Sequence, residues 1–250
     1  MRKRLSRVAL PPAPCRPSSS SCHHAISYAP ALLSPAQLKP TMWCVLLTMH
    51  HTPARAAMYR DVASYYQRQG VPLYVVDSGN HGIDPGVVPL HRQVVFDQRD
   101  RPGAAGCASS TDWEMLSLRE FVESPLFARM EHRHVFKLTA KYKLPGLRAT
   151  LDAAVSSASA PARDARPCPF LVVQRRHYAP GGFQNSEIVG FERARMPEAL
   201  ALLRRAPHEN MEHRLHRLLR HPCAAGSVRL APLINQAAYR RGNGSHLPWL

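Results

Sequence analysis

Lys137, Thr139 and Lys141 occupy every second position in the stretch His134-Val-Phe-Lys-Leu-Thr-Ala-Lys-Tyr-Lys-Leu-Pro145. The stretch opens with β-branched and aromatic residues and stops at Pro145-Gly146, so it reads as a strand. Alternation along a strand puts the two ammonium groups and the hydroxyl on one face, with Phe136, Leu138, Ala140 and Tyr142 on the other. A face of that polarity is costly to bury without an anionic partner. It is therefore either open to water, as an edge guarded by lysines, or set against something negatively charged.

Other positions invite chemistry less sharply. Asp77-Ser78-Gly79-Asn80 follows an apolar strand directly, a place where turn residues and ligand-binding residues look alike. Gly181 and Gly182, within Tyr178 to Glu187, permit a ligand to approach the backbone closely. Thr111-Asp-Trp-Glu114 has capping-box spacing, which gives Glu114 a structural task at a helix start. His213 and His216 lie three apart on a basic helix and read as a solvated face before a metal site. His177 beside Arg175-Arg176 reads as a solvated loop histidine. The six cysteines include no Cys-x-x-Cys pair, and Cys15 and Cys22 before His23-His24 lack zinc-finger spacing. Reduced, unpaired thiols are expected.

The elements that must position these groups alternate between strand and helix. Trp43 to Thr48 is a continuous apolar run of the kind buried on both faces of a parallel sheet. Arg55 to Gln69 reads as a helix with Met58, Val62, Tyr65 and Tyr66 on one side and Gly70 at its end. Val71 to Val76 is a second strand, which completes a βαβ unit. Gln93 to Phe96 gives a third strand, and a helix follows from Thr111 to about Phe121. After the lysine-bearing strand come a helix over Leu147 to Val155 and a flexible loop at about 156–167. Phe170 to Gln174 is a further strand. Two helices then run from Pro197 to Arg205 and from Met211 to Leu219. The expected fold class is α/β, a single domain with a mostly parallel, Rossmann-like central sheet and flanking helices.

Composition bounds the function. The chain has 250 residues, of which 45% are hydrophobic, enough for one real core; the 23 prolines imply long loops. A formal charge of +16 calls for an anionic partner such as nucleic acid, a membrane surface or a phosphate-bearing small molecule. Residues 1–41 hold Arg2, Lys3, Arg4, Arg7, Arg16 and Lys39 and no acidic residue, with a serine run at Ser18 to Ser21. This basic leader resembles an organellar transit peptide, or else marks an over-extended start ahead of Met42. The domain proper is expected over 42–250. Its compartment is expected to be cytoplasmic, or organellar if the leader is a transit peptide. No apolar run approaches the roughly 20 residues of a transmembrane segment. Hydrolase motifs are missing too: there is no Gly-x-Ser-x-Gly elbow and no Walker loop.

Four stretches together resemble a small nucleotide-diphospho-sugar transferase of the glycosyltransferase A type. They are Val75-Val-Asp77-Ser78, Ser110 to Glu114, Phe136-Lys-Leu-Thr-Ala-Lys-Tyr142, and Asn185 to Phe191 followed by Met211-Glu212. The third is similar to a Lys-Ile-Thr-Gly-Arg-Tyr strand of that group, with Ala140-Lys141 where the group has Gly-Arg. An arginine's planar fork is thereby exchanged for a point charge. The resemblance implies a glycosyltransferase that moves a sugar from a nucleotide-sugar donor to a glycan or other hydroxyl acceptor. It implies donor contacts at Asp77, Ser78, Lys137, Thr139, Lys141 and Tyr142. It implies Glu187, or second Glu212, as the base for the acceptor hydroxyl. The chain has no Asp-x-Asp, the motif with which most such enzymes hold Mn²⁺ or Mg²⁺. A divalent metal is thus in question, and lysines are expected to balance the leaving diphosphate. The rival readings are a basic nucleic-acid-binding protein, argued from Arg204-Arg205 and Arg240-Arg241, and a transferase fold that has lost activity and serves as a binding scaffold.

Overall fold

The apolar run Trp43–Met49 forms β1, and all of its positions are buried. Burial on both faces is possible only at the centre of a sheet covered by helices on each side. A computed structural model describes residues 42–107, 109–158, 170–174, 188–204, 209–219 and 228–230, all of them within one compact unit, Ser34–Leu250. The leader, the Tyr178 to Glu187 loop with Glu187 and His177, and most of the 156–167 loop lie outside the described residues.

The elements after β1 are α1 (Ala56–Arg68), β2 (Leu73–Asp77), β3 (Gln93–Val95), α2 (Ser110–Glu123), α3 (Pro125–Arg129) and β4 (His134–Thr139). Then come α4 (Leu147–Ala158), β5 (Phe170–Gln174), β6 (Ile188–Glu192), α5 (Met196–Arg204), α6 (Met211–Leu219) and β7 (Val228–Leu230). Among the described residues seven strands form one sheet in the order β3-β2-β1-β4-β6-β5-β7. Pairing is parallel except where β6 runs against both β4 and β5. The expected α/β class and mostly parallel sheet with flanking helices are present. From β1 the chain steps outward to β2 and β3, then returns past β1 to β4.

Two cores flank the sheet. Val45, Leu47, Leu73, Val75, Phe136 and Leu138 face α1 and α4, where they meet Val62, Tyr66, Leu147 and Leu151. Cys44, Leu46, Val76, Val135 and Phe191 face α2, α3, α5 and α6. Gly70, with φ of 65°, ends α1 in the left-handed region, as its position suggests. No helix among the described residues is long and apolar enough to cross a membrane.

Three expectations change. Ile188–Glu192 and Val228–Leu230 are strands that the sequence reading left unassigned. Each is short, and Gly190 breaks the apolar pattern of the first. The capping box of α2 is also two residues earlier than Thr111-Glu114. Ser109 is the cap, its hydroxyl accepts from the Asp112 N–H, and the Asp112 carboxylate accepts from the Ser109 N–H. Glu114 is thereby released from the helix end. Thr111 is buried, and its Oγ1 accepts from Met211 N at 3.0 Å, which fastens the start of α6 to the start of α2.

Tyr66 secures the segment that follows β4. Its buried hydroxyl donates to the Tyr142 carbonyl (2.8 Å) and accepts from Leu144 N (3.0 Å). Replacing Tyr66 with Phe removes both hydrogen bonds from the core, at about 1–2 kcal/mol each. Tyr66→Phe should therefore lower the unfolding free energy by about 2–4 kcal/mol in urea titration with an unchanged m-value.

Candidate functional site

The parallel register brings four strand ends to one edge of the sheet. Met49 lies beside Asp77, Asp77 beside Val95, and Thr48 beside Thr139. The strand order reverses across β1 and β4, so the crevice outside their carboxyl ends is where an open α/β sheet offers a ligand site.

Asp77 ends β2 and is fully buried. Its Oδ1 accepts from His51 N (2.8 Å) and Gly79 N (2.9 Å), and its Oδ2 from His81 N (3.1 Å) and Gly82 N (2.8 Å). Four charge-assisted bonds fill the acceptor sites of one carboxylate. Asp77 therefore organises the loop after β2 and ties it to the loop after β1. The two loops also touch directly, because a Cβ at Gly79 would fall 2.2 Å from the His51 carbonyl oxygen.

This clasp arranges side chains that the sequence reading passed over. His50 Nδ1 pairs with Ser78 Oγ at 3.2 Å. His51 Nδ1 lies 2.8 Å from the Gly82 carbonyl, which can only accept, so that nitrogen carries the proton. The His51 ring packs edge-on against Tyr59 and at 5.0 Å from the exposed His81 ring. The Tyr59 hydroxyl donates to the His50 carbonyl at 3.2 Å. Burial pushes that hydroxyl's pKa up, which keeps it a donor. The only available signal was His50-His51 directly after an apolar strand, which marks a loop without revealing what turns back to meet it. Just beyond β3 the Arg99 guanidinium holds the half-buried Asp97 carboxyl down at about 2.

The lysine-bearing strand divides its residues. Phe136, Leu138, Ala140 and Tyr142 all join the core under α1 and α4, as the alternation predicts. The Tyr142 ring is 1% exposed, so its work is packing. Lys137 is also buried, and its ammonium pairs with Glu114 of α2. The anionic partner that this face required is thus a carboxylate of the same chain. Thr139 is half-buried at the end of β4. Lys141 follows it, with its ammonium 5.1 Å from the Tyr142 ring centroid.

Of the six positions expected to hold the donor, Thr139 and Lys141 are partly exposed at the carboxyl end of β4, whereas Ser78 is buried with its hydroxyl against the Met49 carbonyl and His50 Nδ1. Asp77, Lys137 and Tyr142 are engaged in structure around the crevice. Glu212 lies one residue beyond the Met211–Thr111 fastening, in the first turn of α6. Glu187 is outside the described residues. Among the described residues no group of three or more His, Cys, Asp or Glu is arranged to hold a metal ion. The Asp77 carboxylate would have to release backbone donors to serve as a ligand.

Comparison with protein families, with curated proteins and with solved structures returned no match.

Two substitutions probe this arrangement. Asp77→Asn exchanges one acceptor oxygen for an N–H₂ that faces two N–H donors. With charge-assisted bonds at about 1.5–3 kcal/mol each, it should cost about 3–6 kcal/mol in urea unfolding. In a double-mutant cycle, Glu114→Gln alone should cost roughly 3 kcal/mol because it deprives a buried ammonium of its carboxylate. Glu114→Gln combined with Lys137→Met should cost less than the sum of the two single changes.

Proposed function

We propose that this protein is a glycosyltransferase of the glycosyltransferase A type. It would bind a nucleotide-sugar donor in the crevice between β1 and β4 and transfer the sugar to a hydroxyl acceptor. The observation that carries the reading is the reversal of strand order at β1 and β4, with Ser78, His50, Thr139 and Lys141 gathered at the carboxyl ends beside it. The order β3-β2-β1-β4 is the doubly wound arrangement whose crevice takes nucleotides. The lysine-bearing strand and the Asp77 turn, the stretches that carry the sequence resemblance, lie at that crevice.

In this reading the acceptor oxygen bonds to the anomeric carbon while the bond from that carbon to the diphosphate breaks. The proton of the acceptor passes to Glu212, and charge gathers on the departing diphosphate. No step is assigned to a metal, because neither an Asp-x-Asp nor a ligand cluster among the described residues fits one. Lys141 supplies positive charge at the crevice, and the Thr139 hydroxyl donates a hydrogen bond, while Ser78 fixes the loop beside them through Met49 and His50. Lys137 contributes at one remove. By pairing with Glu114 it locks α2 onto β4, and through Thr111 it sets the position of the α6 turn that carries Glu212.

Thermal shift and titration calorimetry on the full chain with UDP-, GDP- and CMP-sugars, with and without Mn²⁺, test the reading. One donor should raise the melting temperature saturably. Lys141→Ala should weaken that donor's binding roughly tenfold or more, as for loss of one charge-assisted contact. If no nucleotide sugar binds, while random duplex DNA does with a steep salt dependence, the nucleic-acid reading replaces this one. Donor binding without transfer to any acceptor would mark a scaffold.

A further inference from the structure

A cavity of about 510 Å³ lies where α2 meets α5, the turn at Gly103–Cys107 and Arg214 of α6. Its volume falls in the range of small-molecule sites. Met115, Leu116, Val122, Leu200 and Ala201 give it an apolar lining. The polar groups in the lining include two arginines with unmet hydrogen-bonding capacity. Arg214 is 2% exposed, and its Nη2 donates to Asp112 Oδ1 at 3.2 Å. Its buried Nε has no hydrogen-bond partner among the described residues. Arg119 donates from Nη2 to the Pro102 carbonyl at 2.8 Å, and its buried Nε likewise has no hydrogen-bond partner there.

A buried guanidinium N–H left without an acceptor costs on the order of 1–3 kcal/mol, more for a charged group. Native structures rarely tolerate two such donors around one space unless something fills it. The lining acids give neither Nε a hydrogen bond. Asp112 closes the capping box and holds Arg214, while Glu123 lies 3.9 Å from Arg119 Nε, too far for a hydrogen bond. What is missing is an anionic acceptor with an apolar body behind it.

We propose that this cavity binds an amphipathic anion, with an acidic head accepting from the Arg214 and Arg119 Nε groups and an aliphatic tail packed on Met115, Leu116 and Leu200. None of the lining residues is among those placed at the β1–β4 crevice, and the proposal does not depend on the transferase reading. The acid of the head group can be a carboxylate or a phosphate monoester. The two share the acceptor geometry that a guanidinium recognises.

Cys107, a free thiol in the cavity lining and only partly exposed, reports occupancy locally. The full chain is treated with iodoacetamide alone or with decanoate, decyl phosphate or decanol below their aggregation limits, and the modification of Cys107 is followed by peptide mass spectrometry. At ten times its dissociation constant, a bound probe should slow Cys107 alkylation about tenfold by mass action. Decanoate or decyl phosphate should do this, and the stronger of the two identifies the head group. Decanol should protect far less. Arg214→Met should abolish protection. Because that change also removes the partner of Asp112, a second variant is needed. Ala201→Trp, at an exposed position on α5 that lines the cavity, should fill the space and abolish protection with the melting temperature unchanged. Equal protection by decanol, no protection by either anion, or undiminished protection in Ala201→Trp would each overturn the proposal.

Discussion

The carboxyl edge of this sheet depends on one carboxylate being saturated by backbone. Asp77 takes N–H groups from His51 on one loop and from Gly79, His81 and Gly82 on another. A loop rarely satisfies so many donors unaided, and each left bare in a buried place would cost about as much as a lost hydrogen bond. With them satisfied, two connections that belong to different strands behave as one rigid rim. His50, His51, Ser78 and His81 inherit fixed positions from that rim. Asp77 therefore acts as the support of a site and leaves contact with a ligand to its neighbours.

A comparable division runs through β4. Lysine at position 137 looks like a ligand-binding cation when read along the strand, and in the fold it is the buried half of an ion pair with α2. Pairs of this kind are weak sources of net stability, because desolvation offsets most of the attraction. Their use lies in register. Lys137 pairs with Glu114, and so ties α2 to the middle of β4 at a defined point. Thr111 and Arg214 then carry that position across to α6.

Much of the architecture was legible in the residues. The apolar runs of β1 and β2, the amphipathic α1 ended by Gly70, and the alternation of β4 fixed the βαβ start and the polarity of the sheet. Local signals sufficed because each of those segments is long and regular. The strands β6 and β7 escaped because they are short, and β6 pairs antiparallel to β4 through a register that no local pattern encodes. The cap of α2 was misplaced because Ser109-x-x-Asp112 and Thr111-x-x-Glu114 both offer a hydroxyl followed three residues later by an acid. Only the packing of Thr111 against α6 separates them. At the site, Asp77 and Lys141 stood out by type, whereas the histidine rim did not. His51 and His81 are 30 positions apart, brought together by backbone hydrogen bonds to Asp77 between them. The partner of Lys137 was likewise invisible, although its sign was dictated by the cost of burying an ammonium.

The sheet order also governs how the molecule is assembled. β1, the first strand among the described residues, sits between β2 and β4, and its second neighbour is made some ninety residues after it. A growing polypeptide can close β1 against β2 early, through the short α1 crossover. The opposite edge of β1, apolar on both faces, then stays open until His134–Thr139 emerges. Such an edge recruits other strands. During synthesis this protein carries its most adhesive surface at its own centre, and the arrival of β4 is the event that conceals it.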